Sequence, residues 1–235
     1  YTNENLNIFK KITKKFIILC FVRGQCFLFM NVFYFIAINN MDFATASTLT
    51  FSATFFIVIL SILFLNDKVG IYRWSAVFIG FIGVAMIMKP TSDVFSYYSI
   101  YPVMVGLLYS IAIIILKFIP VYNSTAKIQF YSLISSIIGA VILLAITLDT
   151  KFIQSYQDLL MLVSIGVLGG SAGILFIYAY RLIEASKLAV FEYLAIPSSF
   201  FLGWLFFDET PIDQLFPGVL GIILAGMIII WRDKK

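Results

Sequence analysis

Glu192 is a carboxylate in apolar company, within Ala189-Val190-Phe191-Glu192-Tyr193-Leu194-Ala195. An ionisable side chain at membrane depth is costly and ordinarily faces a cavity or a partner. There it can hold a cationic group of a solute or carry a proton. The structural alternative is a pair with Lys187, Arg181 or Lys127. Arg23 is a second charge inside an apolar run, Phe16–Ile38. Its guanidinium has the fork geometry that clamps a carboxylate. Its plainer reading, favoured here, is a long side chain snorkelling back to the interface beside Lys10, Lys11, Lys14 and Lys15. Asn31, Tyr34, Tyr109, Tyr178 and Tyr193 are candidate lining residues for a solute with a planar or apolar part, as are Thr48, Thr50, Ser110 and Tyr131. Each has a structural reading too, since Tyr collects at membrane interfaces and Ser and Thr bond their own helix.

Such residues need rigid elements to hold them. The chain has 235 residues, of which 62% are hydrophobic and only 12% charged, with a mean hydropathy of +1.02. That is too little charge to clothe a soluble domain of this length. The apolar residues come in runs long enough to cross a hydrocarbon layer of about 30 Å, which takes roughly eighteen residues or more of helix. Strict two-residue alternation is missing, so strands do not fit. A segment in lipid must satisfy its own backbone, which leaves helices. The pattern predicts spans at Phe16–Ile38, Phe43–Leu65, Ile71–Met88, Tyr97–Ile119, Ala126–Leu148, Leu159–Leu182, Leu188–Phe207 and Leu215–Trp231. The turns between them carry Asn66-Asp67-Lys68, Lys89-Pro90-Thr91-Ser92-Asp93, Asp149-Thr150-Lys151 and Asp208-Glu209-Thr210-Pro211. None is long enough for a separate folded domain.

Lys and Arg stay on the cytoplasmic side of short loops. With the N-terminal segment inside, all of the 16 basic residues except Lys89 and Lys151 lie inside or, for Arg23, just within the bilayer. Both termini are therefore expected in the cytoplasm. The net charge of +4 is then a topology signal, and no basic folded surface is left for a nucleic acid.

The chain also repeats itself. At one constant offset, Ala37 pairs with Ala179, Asp42 with Glu184, Leu60 with Leu202, Phe64 with Phe206 and Asp67 with Glu209. One extra residue then pairs Gly83 with Gly226. The Asp67 turn is expected inside and the Glu209 turn outside, so the two copies are inverted. An inverted pair needs an odd number of spans per copy. The second copy, residues 96–235, has five. The first, residues 1–95, shows three, so two spans are expected to be missing from its start. The chain begins at Tyr1 rather than Met, which fits a piece of a longer protein or a non-transporting remnant.

These features resemble the EamA-type permeases of the drug/metabolite transporter superfamily. The resemblance rests on Ala179-Tyr180-Arg181-Leu182-Ile183-Glu184-Ala185-Ser186, Phe191-Glu192-Tyr193-Leu194-Ala195-Ile196-Pro197 and Gly203-Trp204-Leu205-Phe206-Phe207-Asp208-Glu209. In the first copy the position matching Pro197 is Phe55, and the acidic turn carries Asp67 in place of the usual glutamate. The resemblance implies an all-α membrane protein with ten helices in two inverted five-helix halves, eight of them in this sequence. It implies a secondary permease rather than an enzyme. The Phe-Glu-Tyr stretch resembles the branch assigned to S-adenosylmethionine uptake; export of amino acids or drugs is the alternative within the superfamily.

Other chemistry is unsupported. His is absent, and Cys20 and Cys26 have no zinc spacing and suggest no disulfide. No phosphate-cradling GxxxxGK[ST] segment occurs, so ATP hydrolysis by this chain is not expected. No cofactor is implied. The expected partners are a small-molecule substrate, the lipid bilayer and, for assembly, a second copy of the chain. Small residues four apart at Gly166/Gly170, Ser135/Gly139 and Gly221/Ala225 predict close helix packing. Gly169-Gly170 and Pro197 are candidate bending points.

Overall fold

A computed structural model describes residues 13–41, 43–89, 96–147, 155–198, 201, 205 and 216–233. The described chain runs through α1 (Lys14–Asn40), α2 (Phe43–Thr50), α3 (Ala53–Leu65), α4 (Ile71–Met88), a 3-10 turn (Tyr97–Ser99), α5 (Ile100–Phe118), α6 (Thr125–Thr147) and α7 (Tyr156–Leu182). There follow α8 (Ala185–Leu188), a 3-10 segment (Ala189–Leu194), helical residues 195–198, and α9 (Gly218–Asp233). Most predicted spans lie within a few residues of these helices. The second half of the predicted Leu188–Phe207 span falls largely outside the described residues.

The helix ends follow from local chemistry. Asn66 adopts the left-handed conformation (φ 56°) after α3, which its short polar side chain tolerates, and its N–H and that of Asp67 satisfy the Ser61 carbonyl. Lys89 does the same after α4 (φ 46°), just before a proline in the sequence. Ser124 Oγ caps α6 by accepting from the Lys127 N–H at 3.3 Å. Ser155 and Asp158 cap α7 reciprocally: Ser155 Oγ accepts from Gln157 N–H, and Asp158 Oδ2 accepts from Ser155 N–H.

Two predicted spans are interrupted. Phe43–Leu65 breaks at Phe51 and Ser52, where the chain tightens to three-residue bonds (Ser52 N–H to Leu49 O, Thr54 N–H to Phe51 O). The break lies against Gly106 of α5, where an added Cβ would come within 2.8 Å of Ala53 N and Ser52 Oγ. The start of the seventh span is short α8 followed by 3-10 turns, in place of a continuous α-helix. By contrast α7 runs unbroken for 27 residues through Gly169-Gly170.

The chain forms two compact units, each drawing on both sequence halves: residues 1–28 with 115–182, and residues 29–114 with 183–235. In the first unit α1 meets α6. An added Cβ at Gly24 would overlap the Ser132 carbonyl and Ser135, Gln25 Nε2 donates to the Ser135 carbonyl (2.7 Å), and Ser136 Oγ donates to Gly24 O (2.6 Å). The Ser135/Gly139 face is thus a packing face, whereas an added Cβ at Gly166 or Gly170 would meet nothing within 4 Å. In the second unit the core is Val58, Val77, Val84, Val190, Tyr193, Ile222 and their neighbours, where α3, α4, the 3-10 segment and α9 converge. Gly83 of α4 and Gly218 and Gly221 of α9 bring those helices together, with Gly83 Cα 3.3 Å from an added Cβ at Gly221.

Polarity is inverted relative to a soluble protein. Thr54, Ser61, Ser110 and Ser132 are buried, while Ile137, Val141, Val167, Leu168 and Leu175 are exposed. Among the described residues five helical stretches are long and apolar enough to cross a membrane: Lys14–Asn40, Thr45–Leu65, Tyr97–Phe118, Thr125–Ile146 and Tyr156–Leu182. Ile71–Ile87 and Gly218–Trp231 are shorter apolar helices. Apolar outward faces on that scale belong in lipid. The protein is an all-α, multi-pass membrane protein.

The contrast between glycines is testable. Gly83→Leu should lower thermal stability in detergent by about 1–3 kcal/mol, because the α4–α9 approach leaves no room. Gly166→Ala should change it by less than about 1 kcal/mol. Fluorescence-detected thermal unfolding of the two variants measures both.

Candidate substrate site

The seven predicted site residues divide between the two units. Glu192, Tyr193, Tyr109, Tyr34 and Asn31 belong to one; Arg23 and Tyr178 belong to the other. Within the former, the structure brings Tyr109 and Glu192 together: Tyr109 Oη donates to Glu192 Oε1 at 2.9 Å, across 83 residues of sequence. Tyr109 sits in the middle of α5, an apolar helix with no charge before Lys117. Glu192 sits in the 3-10 segment, half-buried. The short chain of i→i+3 turns presents it differently from a regular helix, since side chains three apart then eclipse. The result is a carboxylate among apolar helices, held by a neutral phenol. A phenol that donates a hydrogen bond brings no charge of its own to a carboxylate.

Tyr193, the next residue, points into the core. It is fully buried, its Oη donates to the Val77 carbonyl at 3.2 Å, and its ring occupies the space beside Gly80 where an added Cβ would collide with it. Phe51, at the break between α2 and α3, has its ring centroid 5.9 Å from that of Tyr193. Tyr193 therefore fixes the 3-10 segment to α4, and through the backbone fixes where Glu192 lies. Tyr34 Oη is 3.4 Å from Ser47 Oγ, joining α1 to α2. Asn31 is exposed on α1. Thr48 is buried, and Thr50 Oγ1 donates to the Ala46 carbonyl of its own helix. Ser110 does likewise to Leu107.

In the other unit Arg23 corrects the favoured snorkelling reading. It is 3% exposed, with its guanidinium carbon 4.7 Å from the Phe27 ring centre. A cation over an aromatic face is a stable arrangement away from water, and it turns the side chain along α1. Tyr178 is exposed on α7, and Tyr131 meets Phe16 edge-on at 5.5 Å.

Two of the basic residues considered as partners of Glu192 make contacts elsewhere. Lys187 Nζ lies 3.6 Å from Glu184 Oε1. Arg181 donates to the carbonyls of Asn123 (2.7 Å), Val121 (2.6 Å) and Pro120 (3.4 Å), bracing the turn between α5 and α6. Lys127 is buried on α6. The sequence reading missed one cluster, Asp67, Arg73, Glu184 and Ser186. Arg73 NH2 and Glu184 Oε2 are 2.6 Å apart, and Arg73 NH1 donates to Ser186 Oγ at 2.8 Å. Their sequence signals were separate ones: Asp67 pairs with Glu209 and Glu184 with Asp42 in the repeat, Glu184 and Ser186 lie in one stretch that carries the family resemblance, and one face has a basic bias. Among the described residues no group of three or more Cys, Asp or Glu could hold a metal ion.

Comparison with known proteins places these residues in context. The family model described as the EamA-like transporter family matches residues 4–89. An S-adenosylmethionine uptake transporter of Rickettsia bellii is 26% identical over 214 residues, 91% of this chain and 72% of that protein. A riboflavin transporter of Brucella anthropi is 27% identical over 84% of this chain and 71% of that protein. The pseudopaline exporter CntI of Pseudomonas aeruginosa is 30% identical over 91% of this chain and 75% of that protein. A solved crystal structure superposes with a TM-score of 0.74 at 16% identity, covering 88% of this chain and 74% of that one, which shows a shared fold.

Tyr193 and Tyr109 should behave differently. Tyr193→Ala opens a core cavity and should cost about 3–5 kcal/mol of stability. Tyr109→Phe removes one hydrogen bond and should cost no more than about 1–3 kcal/mol. Thermal unfolding of both variants in the same detergent checks the order.

Proposed function

The chain belongs to the EamA-like transporter family of the drug/metabolite transporter superfamily, and from that premise we propose that it is a secondary permease carrying a small cationic metabolite across the cytoplasmic membrane, both termini inside. The observation that carries this reading is the Tyr109–Glu192 pair, a half-buried carboxylate on an interrupted helix among apolar ones. Irregular backbone at membrane depth is tolerated where it lines a cavity or is buried in protein. An ionisable residue there marks a substrate or ion path. A carboxylate facing a cation at about 4 Å gains about 4 kcal/mol at the effective dielectric of a protein site, enough to select a charged solute over its neutral analogue.

S-adenosylmethionine is the substrate we assign first. Its sulfonium is a fixed cation suited to Glu192, and its adenine is a planar group suited to tyrosine-rich walls. Relatives named for its uptake align over 91% of the chain. Export of an amine-bearing solute is the second reading, favoured by the 30% identity to an exporter. No catalytic step enters either reading, and transport draws on a gradient or on exchange. The ten-helix arrangement of inverted halves, with residues 1–95 and 96–235 as the two copies, belongs to the same proposal. Arg23, Asn31, Tyr34 and Tyr178 remain proposed contributors to a solute path, with Tyr193 acting by positioning.

Glu192→Gln keeps an acceptor for Tyr109 and removes the charge. It should lower uptake of labelled S-adenosylmethionine by at least about thirtyfold, the scale of losing one partner of a desolvated charge pair, at unchanged membrane abundance. Full uptake by the variant would remove Glu192 from the mechanism. No saturable uptake by the wild-type chain would remove this substrate.

A further inference from the structure

A polar network lies apart from the Tyr109–Glu192 pair in the same compact unit. Arg73, in the first turn of α4, is 7% exposed. One of its terminal nitrogens pairs with Glu184 at 2.6 Å and the other donates to Ser186 Oγ at 2.8 Å. Ser186 Oγ in turn donates to Asp67 Oδ2 at 2.9 Å. A hydroxyl has one proton and two lone pairs, so Ser186 accepts from Arg73 and gives its proton to Asp67. The chain Arg73–Ser186–Asp67 thus has a direction and a full set of partners at its centre. Lys187 adds a weaker contact to Glu184 at 3.6 Å.

The network joins three stretches of backbone: the turn after α3, the start of α4, and the junction between α7 and α8. The turn after α3 is tied to that helix by the Asn66 and Asp67 N–H bonds to the Ser61 carbonyl. α4 is fixed to α9 by glycine contacts and the Val77, Val84 and Ile222 core. The third is not a regular element. α8 has four residues and leads directly into the six-residue 3-10 segment that carries Glu192. Three-residue turns have poorer hydrogen-bond geometry than α-helix and reorganise more easily. The network therefore fastens the α8 end of this irregular stretch, six residues before the site carboxylate, while Tyr193 holds the far end to α4. Its own composition suits a fastening that opens: Ser186 and Arg73 are buried, but the Glu184 side chain is 45% exposed, so water can take over one end of the pair.

We propose that Asp67, Arg73, Glu184 and Ser186 form the latch of a gate on the face that the basic-residue bias assigns to the cytoplasm. Closed, the latch holds α8 and the 3-10 segment against α4. Broken, it lets α8 and the start of the 3-10 segment swing away from α4 about the Tyr193 anchor and opens the Glu192 site to that face. The inference rests on the permease reading, because a gate has meaning only for a protein with a solute path.

The test needs no substrate. Val190, 1% exposed, lies between the latch and Glu192, and Ala112, buried in α5, lies outside the latch. A reporter cysteine is placed at Val190→Cys or at Ala112→Cys, and the parent chain with Cys20 and Cys26 gives the background. Labelling by a membrane-impermeant maleimide is timed in inside-out vesicles with the latch intact, with Arg73→Gln and with Ser186→Ala. The latch predicts that both substitutions speed labelling at position 190 by at least about tenfold, equivalent to a shift of roughly 1.4 kcal/mol in the open population, and leave position 112 unchanged. Unchanged labelling at 190 overturns the proposal. So does a parallel rise at both positions, which would mark a brace of the whole fold. Either result leaves the permease reading standing, since transport by the intact chain is judged separately.

Discussion

Holding the Glu192 carboxylate among apolar helices is the constraint around which the rest of the second unit is arranged. A charge at membrane depth costs about 3 kcal/mol or more, so it must be compensated by geometry. Tyr109 supplies a donor from mid-α5. Tyr193 anchors the adjoining backbone to Val77 and fills the space beside Gly80, so the segment bearing the acid cannot rotate without emptying the core. The segment is 3-10 in form, which sets Glu192 off from the regular helical stripe while keeping backbone groups bonded locally. Composition, packing and the proposed chemistry meet at this point.

Stiff and soft parts of the molecule are set by residue size. Glycines and serines let α1 approach α6, and α4 approach α9, closely enough that an added Cβ has no room. Such contacts gain dispersion energy without any hydrophobic drive between helices in lipid. The stretch from Ala185 to Leu194 contains no glycine, so its backbone is not packed in this way. It is held by side chains: Tyr193 at one end and the Asp67–Ser186–Arg73–Glu184 network at the other. Polar fastenings can exchange partners with water, whereas glycine-packed backbones cannot. A carrier needs both kinds of joint.

The predicted spans were legible because hydrocarbon thickness dictates run length and Asn66, Lys89 and Ser155 mark ends by local rules. What was not legible depended on distant residues. Nothing within Phe43–Leu65 announces the break at Phe51 and Ser52, because the close approach of Gly106 is part of its setting. Arg23 read as an interfacial side chain because its favourable neighbour, Phe27, is one turn along the same helix and looks like any other apolar residue. Glu192 was identifiable as a costly charge, but its partner Tyr109 was one tyrosine among 13. The latch was hidden for the same reason: its residues stand 113 and 119 positions apart, and each alone looks like an ordinary turn or interface residue.

The central claim is that Glu192 recognises positive charge on the solute. The most direct measurement is competition against uptake of labelled S-adenosylmethionine by its neutral thioether counterpart, S-adenosylhomocysteine, in the wild-type chain. The two differ by one methyl group and the sulfonium charge. Recognition of that charge predicts that the neutral compound competes at least about tenfold more weakly than unlabelled S-adenosylmethionine, as expected for loss of more than about 1.4 kcal/mol of charge pairing. Equal competition by the two compounds would contradict the account.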